Sequence, residues 1–115
     1  TDTTALNSGQ WYHIVSVFDG SSQTLTMYID GTQIAQNTSA GSSMLTSAAG
    51  SKCIIGANAN NDRFFDGSID EVAVWDTALT STQIQSIYDA TDTNLTKDLT
   101  EISGSNLVYW NRMGD

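Results

Sequence analysis

Phe65-Asp66-Gly67-Ser68-Ile69-Asp70-Glu71-Val72-Ala73-Val74-Trp75 is the stretch whose reading decides the fold. Asp66-Gly67 is a turn dipeptide: Gly adopts backbone angles that other residues avoid, and Asp bonds its own backbone. The β-branched and aromatic residues that follow fit a pleated, half-buried surface, so the spacing predicts a strand. Side chains alternate along a strand. Asp70, Val72 and Val74 therefore share one face, and Ile69, Glu71, Ala73 and Trp75 the other. The valine face is expected to be the core side, with Asp70 at its edge. A carboxylate there needs backbone N–H groups, a cation or water. Asp70 reads either as a turn cap that fixes the Gly67 corner or as a calcium ligand.

Upstream, Trp11 to Phe18 carries apolar residues on both faces, Trp11, Val15 and Val17 against Tyr12, Ile14 and Phe18. Such a strand is central and covered on both sides. After the Asp19-Gly20-Ser21-Ser22 turn, Thr24 to Asp30 is a strand with Leu25, Met27 and Ile29 inward and Thr24, Thr26 and Tyr28 outward. Asp30-Gly31 signals a type I′ hairpin, and Thr32 to Gln36 returns, completing a meander. Asn37 to Ser51 is a polar loop with Met44-Leu45 tucked inward. Lys52 to Ala57 reads as another strand, and Asn58 to Arg63 as a loop dense in Asn and Asp.

Downstream, Thr80 and Gln83 form a capping box. Leu79 and Ile84 take the positions of a hydrophobic staple, and Ile84, Ile87 and Tyr88 make one apolar stripe. A short helix docked on the rim of a sheet follows from this. Thr91 to Ser105 is a polar connector, and Leu107-Val108-Tyr109-Trp110 a last strand. The sequence has no proline, so its turns rest on Gly, Asn and Asp.

A chain of 115 residues is one domain or a large piece of one. The net charge of −9 leaves no basic surface to neutralise phosphates, which argues against nucleic acid. It fits an extracellular or saline setting and supplies carboxylates for hard cations. Cys53 is the one cysteine, so no intrachain disulfide forms, and it reads as a small core residue. No apolar run reaches membrane length, so no membrane insertion is expected. The chain opens on Thr1-Asp2, as a processed chain or a fragment does.

Three stretches carry a resemblance. The first is Trp11-Tyr12-His13-Ile14-Val15-Ser16-Val17-Phe18-Asp19-Gly20 with Leu25-Thr26-Met27-Tyr28-Ile29-Asp30-Gly31. The second is Ile54-Ile55-Gly56. The third is the opening stretch with Ala78-Leu79-Thr80 and Ile84 to Tyr88. Together they resemble the laminin G-like, concanavalin A-like jelly-roll family, across Gln10 to Ala90. The resemblance implies an all-β antiparallel jelly-roll β-sandwich with one short helix. A jelly roll has about eight strands, and fewer are visible here. Residues 1–103 therefore read as such a domain without its amino-terminal strands. Residues 104–115 read as a closing strand beside Val72 to Trp75 or as the start of a following repeat. The tail also resembles tails in virion proteins of tailed phages.

The resemblance implies a rim site for calcium, and exposed aromatics on a rim or face would serve a glycan. Asp62, Asp66 and Asp70 are the expected metal ligands, and Asn58, Asn60, Asn61 and Phe64 the expected ligand-binding residues around them. Ca2+ takes six to eight oxygens, which this Asn- and Asp-rich end could supply. Tyr12, Tyr28, Phe64 and Trp75 are the available sugar platforms, most of them expected in the core. No catalytic residue is expected. A glycosidase needs two spaced carboxylates on one face, whereas Asp70 and Glu71 are adjacent and point apart. His13 reads as a strand-face histidine, and one His with one Cys is too few donors for zinc. The expectation is a non-catalytic binding, adhesion or display module on an extracellular, cell or virion surface. Its partners would be a glycan, a protein surface, or neighbouring copies or domains of the same chain. The alternative is a purely structural repeat of a filament, fibre or capsid, with a glycoside hydrolase fragment a distant third.

Overall fold

A computed structural model describes residues 5–43, 52–58, 60, 62–89 and 98–113. Among them, the elements run β1 (Ile14–Asp19), β2 (Thr24–Ile29), β3 (Thr32–Asn37), β4 (Val72–Trp75), α1 (Ser81–Tyr88) and β5 (Leu107–Asn111). Two 3-10 turns, Leu99–Glu101 and Gly104–Asn106, precede β5. β1, β2 and β3 form one antiparallel sheet in sequence order, and β4 pairs antiparallel with β5 in a second. This is the expected all-β architecture with one helix.

The meander forms where its turns dictate. Asp30 and Gly31 have φ of 50° and 75°, the double left-handed step of a type I′ turn. The Asp30 carboxylate accepts from the His13 N–H at 2.8 Å, and the Asp30 N–H donates to the His13 carbonyl at 2.8 Å, which clamps the open end of the β1–β2 pair. At the other turn, Asp19 accepts from the Ser21 and Ser22 hydroxyls at 2.6 and 2.7 Å.

The buried face of this sheet is the reverse of the expected one. Val15 pairs with Tyr28 and Val17 with Thr26, so these four share a face. Tyr28 and Thr26 are buried, and Val15 and Val17 pack against the core that Tyr28, Leu79, Ile84 and Ile102 make. The other face holds Ile14, Leu25 and Met27, which are 53%, 38% and 40% exposed. Both faces are apolar, so alternation alone could not rank them. The helix and the segment around Ile102 cover the tyrosine face.

β4 corrects the opening reading in the same way. The strand begins at Val72, because Glu71 sits at φ 52° and swings the chain out of the extended region. Val74 is 48% exposed and Asp70 is exposed, whereas Trp75 packs on the core and donates its indole N–H to the Ile102 carbonyl at 2.8 Å. Gly67 does not make a left-handed corner. A Cβ there would stand 2.8 Å from the tip of the exposed Phe65 ring, which would have to swing aside to admit it.

The helix matches its signals. The Thr80 hydroxyl accepts from the Gln83 N–H at 3.2 Å, and the Gln83 amide oxygen accepts from the Thr80 N–H at 2.8 Å, a complete capping box. Leu79 and Ile84, the two staple residues, are both buried in the core. Gln83 also donates to the Ser103 hydroxyl at 2.8 Å, tying the helix to the turn before β5.

Three further expectations change. Residues 52–57 are not a strand: among the described residues they contribute one isolated bridge, Ala57 to Phe64. Cys53 is exposed rather than in the core. The connector before β5 is not merely polar, since Leu99 and Ile102 are core residues. Met44-Leu45 and residues 91–97 lie outside the described residues.

Candidate functional site

Residues 56–58 and 62–65 form the two arms of a small hairpin on the rim. Its base is the Ala57–Phe64 bridge, with the Phe65 N–H donating to the Gly56 carbonyl at 2.8 Å and the Asn58 N–H to the Arg63 carbonyl at 3.1 Å. Its tip is closed by side chains. Asn58 donates from Nδ2 to the Asp62 carboxylate at 2.5 Å, and its Oδ1 accepts from the Asp62 N–H at 3.2 Å. Asn60 is exposed, and Asn61 lies outside the described residues. Phe64 presents its ring to solvent, 71% exposed. An exposed aromatic thus shares one hairpin with an amide and a carboxylate.

The expected calcium ligands do not come together. Asp62 is occupied by Asn58, and Asp66 is exposed. Asp70 accepts from the N–H of Glu71 at 2.9 Å, capping its neighbour and not the Gly67 corner. Among the described residues, no three His, Cys, Asp or Glu side chains converge to hold a metal ion. Asp62, Asp66 and Asp70 therefore do not fit a single calcium site built on three carboxylates.

Glu71 is held by the end of the chain. Its Oε2 accepts from the Trp110 indole N–H at 2.6 Å, and Arg112 Nε stands 3.5 Å from Oε1. The Arg112 guanidinium also lies over the Trp110 ring, 5.5 Å from its centroid. This cluster locks β5 onto β4.

His13 stacks on Tyr88, with ring centroids 6.2 Å apart and planes within 18°. Its Nδ1 is buried with no hydrogen-bond partner among the described residues. Burial lowers the imidazole pKa from its ordinary 6.5, and the nearby Asp30 charge opposes that shift. Asp19 is pulled down to about 2, because the Ser21 and Ser22 donors favour its charged form.

One open cleft lies between the β2–β3 turn and α1. It is a shallow depression of about 500 Å³, largely open to solvent and lined by Gly31, Ser81, Thr82, Gln85, Ser86 and Asp89. Sequence reasoning missed it, although the polar side of the helix, Ser81-Thr82 and Gln85-Ser86, was the available signal. No aromatic lines it, so it offers hydrogen bonds without a stacking face. Among the platforms considered above, Tyr28 and Trp75 belong to the core, Tyr12 is half-buried with its hydroxyl accepting from the Asn7 N–H, and Phe64 alone stands on the rim hairpin.

Comparison with known proteins bears on this geometry. A family profile described as "Concanavalin A-like lectin/glucanases superfamily", of laminin G type, matches residues 1–85. Comparison with curated proteins gave no match. A solved structure of an S-layer domain-containing protein (residues 221-444) from Clostridium thermocellum ATCC 27405 is similar, with a TM-score of 0.62 at 24% sequence identity. The match covers 76% of this chain and 43% of that one, so the chain spans less than half of the solved relative, and the likeness concerns the fold. With the profile running from the first residues into the capped helix, the chain belongs to the laminin G-like branch of the concanavalin A-like lectin/glucanase superfamily.

Proposed function

We propose that the chain is a non-catalytic module of a protein displayed on an extracellular, cell or virion surface, and that it binds glycan through the rim hairpin bearing Phe64. The exposed Phe64 ring on the hairpin closed by Asn58 and Asp62 carries this reading. A sugar ring lays its CH face on an aromatic, while amide and carboxylate groups take its hydroxyls. Superfamily membership supports a binding role, and the name of the S-layer relative favours a surface setting. The non-catalytic reading draws on Glu71 and Asp70. The first is committed to Trp110 and Arg112 and the second caps its neighbour, so neither stands free as an acid or nucleophile.

A glycan array probed with the purified chain tests this. Phe64→Ala should lower the signal about tenfold while leaving the melting midpoint near its starting value. An array silent with the parent chain sinks the reading. A second reading, a structural unit of a surface assembly without a small ligand, is favoured by the name of the S-layer relative. Array silence with concentration-dependent assembly would support it. Calcium assistance is tested by melting with and without a chelator. The dispersed carboxylates predict the same midpoint in both, and a midpoint raised by calcium would return the cation to the reading. Turnover assays on β-glucans should give no product.

A further inference from the structure

The dipeptide Asp-Gly occurs three times, at Asp19-Gly20, Asp30-Gly31 and Asp66-Gly67, and Asn-Gly does not occur. In Asp-Gly a backbone nitrogen can attack the side chain that precedes it. Glycine has no Cβ to block the approach, so its nitrogen can reach the Asp Cγ. The sequence makes the three dipeptides equivalent, and the fold does not.

Two of them are held away from that geometry. Asp19 ends β1, and its carboxylate accepts from the Ser21 and Ser22 hydroxyls at 2.6 and 2.7 Å and from the Ser21 N–H at 2.9 Å. Those donors hold its pKa at about 2, and a carboxylate anion is a poor target for an amide nitrogen. Asp30 is fixed at both its N–H and its carboxylate by the backbone of His13, and Gly31 abuts the Gln85 side chain of α1. Asp66-Gly67 has none of these restraints. Both residues are exposed and lie outside the helices and strands. Among the described residues, the Asp66 carboxylate has no hydrogen-bond partner, and the Gly67 N–H donates to no backbone carbonyl.

We infer that Asp66-Gly67 is a site of spontaneous isoaspartate formation, and that of the three dipeptides it is the one the folded chain leaves open to this modification. The Gly67 nitrogen bonds to Asp66 Cγ. The carboxyl hydroxyl leaves with the amide proton as water, and a succinimide ring closes. Water then adds to either ring carbonyl. Opening at Cγ restores Asp, whereas opening at the backbone carbonyl leaves the chain running through Cγ. One water departs and one returns, so composition is unchanged and no oxidant or reductant takes part. The product carries an extra methylene in the backbone and a free α-carboxylate. It stands one residue after Phe65, whose N–H holds the Gly56 carbonyl at the base of the rim hairpin. The arm that bears Phe64 is thus the part of the described chain that this ageing reaches first.

Ageing in heavy-oxygen water tests this. The folded 115-residue chain is kept for weeks at neutral pH, digested, and read by electron-transfer fragmentation, which locates both the label and isoaspartate. Each passage through the succinimide takes one oxygen from water. Asp66 should take up label at least about tenfold faster than Asp19 or Asp30, because those two must first open locally. Isoaspartate should accumulate at Asp66. In urea the three positions should label at comparable rates. Equal rates in the folded chain, a faster rate at Asp19 or Asp30, or no label at Asp66 would overturn the inference. An unfolded chain that kept the folded ranking would overturn it too, because the preference would then belong to the local sequence and not to the fold.

Discussion

Glu71 shows how much one residue decides. Its φ of 52° ends the extended run before β4, and its carboxylate then gathers Trp110 and Arg112. Neither property is legible in the sequence, because alternation rules assume an unbroken strand and Glu has no special preference for the left-handed region. Replacing Glu71 with Ala should cost about 1–3 kcal/mol, since Trp110 loses a charged acceptor. The check is chemical unfolding together with a red shift of tryptophan emission. His13 makes a pH prediction. Burial depresses its folded-state pKa below 6.5, so the unfolded chain binds more protons between the two values. The His13 contribution to stability is therefore complete above about 6.5 and is lost as pH falls from there toward the folded value. Asp19 acts in the same sense further down: its contribution is complete above 3.8 and is lost as pH falls toward about 2. Urea midpoints taken from pH 7.5 down to pH 5 should decline, and His13→Phe, which keeps a ring against Tyr88, should flatten that limb. A flat profile in the parent chain would contradict the burial of the imidazole.

At the scale of elements, what was legible was local. α1 announces itself through Thr80, Gln83, Leu79 and Ile84 within six residues, and all four do what their spacing implies. The Asp30-Gly31 turn is equally self-contained. Thr80→Ala should lower stability by about 1 kcal/mol through loss of the cap. Ile84→Ala should cost about 2–5 kcal/mol, because the residue is fully buried between the helix and the sheet. Thermal melts of the two variants order these effects, and a Thr80→Ala loss equal to the Ile84→Ala loss would deny the helix its place in the core. What was illegible depended on distant packing. Leu99 and Ile102 lie on and just after a three-residue 3-10 turn, too short to show a period, yet both are core. Residues 52–57 hold two strand formers, Ile54 and Ile55, but make a bridge only to Phe64 among the described residues. Propensity without a neighbouring strand does not make a ladder. The rim site was half legible: the Asn58 side chain accepts from the Asp62 N–H, as an Asx residue often does for a nearby backbone group, while a convergence of carboxylates was not something composition could show.

Across the whole molecule, the two sheets, the capped helix and the 3-10 segment meet at one core built from Tyr28, Leu79, Ile84 and Ile102. The sequence made the meander apolar on both faces, and only the position of the helix distinguishes the face that is sealed in this chain. The central claim is therefore directional. Tyr28 and Met27 are neighbours on β2 that point to opposite faces, one buried and the other 40% exposed. Equilibrium unfolding of the 115-residue chain with Tyr28→Ala and, separately, Met27→Ala tests the claim most directly. The account predicts a loss of about 3–5 kcal/mol for Tyr28→Ala, in the range of other large buried side chains, and under about 1 kcal/mol for Met27→Ala. A larger loss at Met27 than at Tyr28 would contradict it.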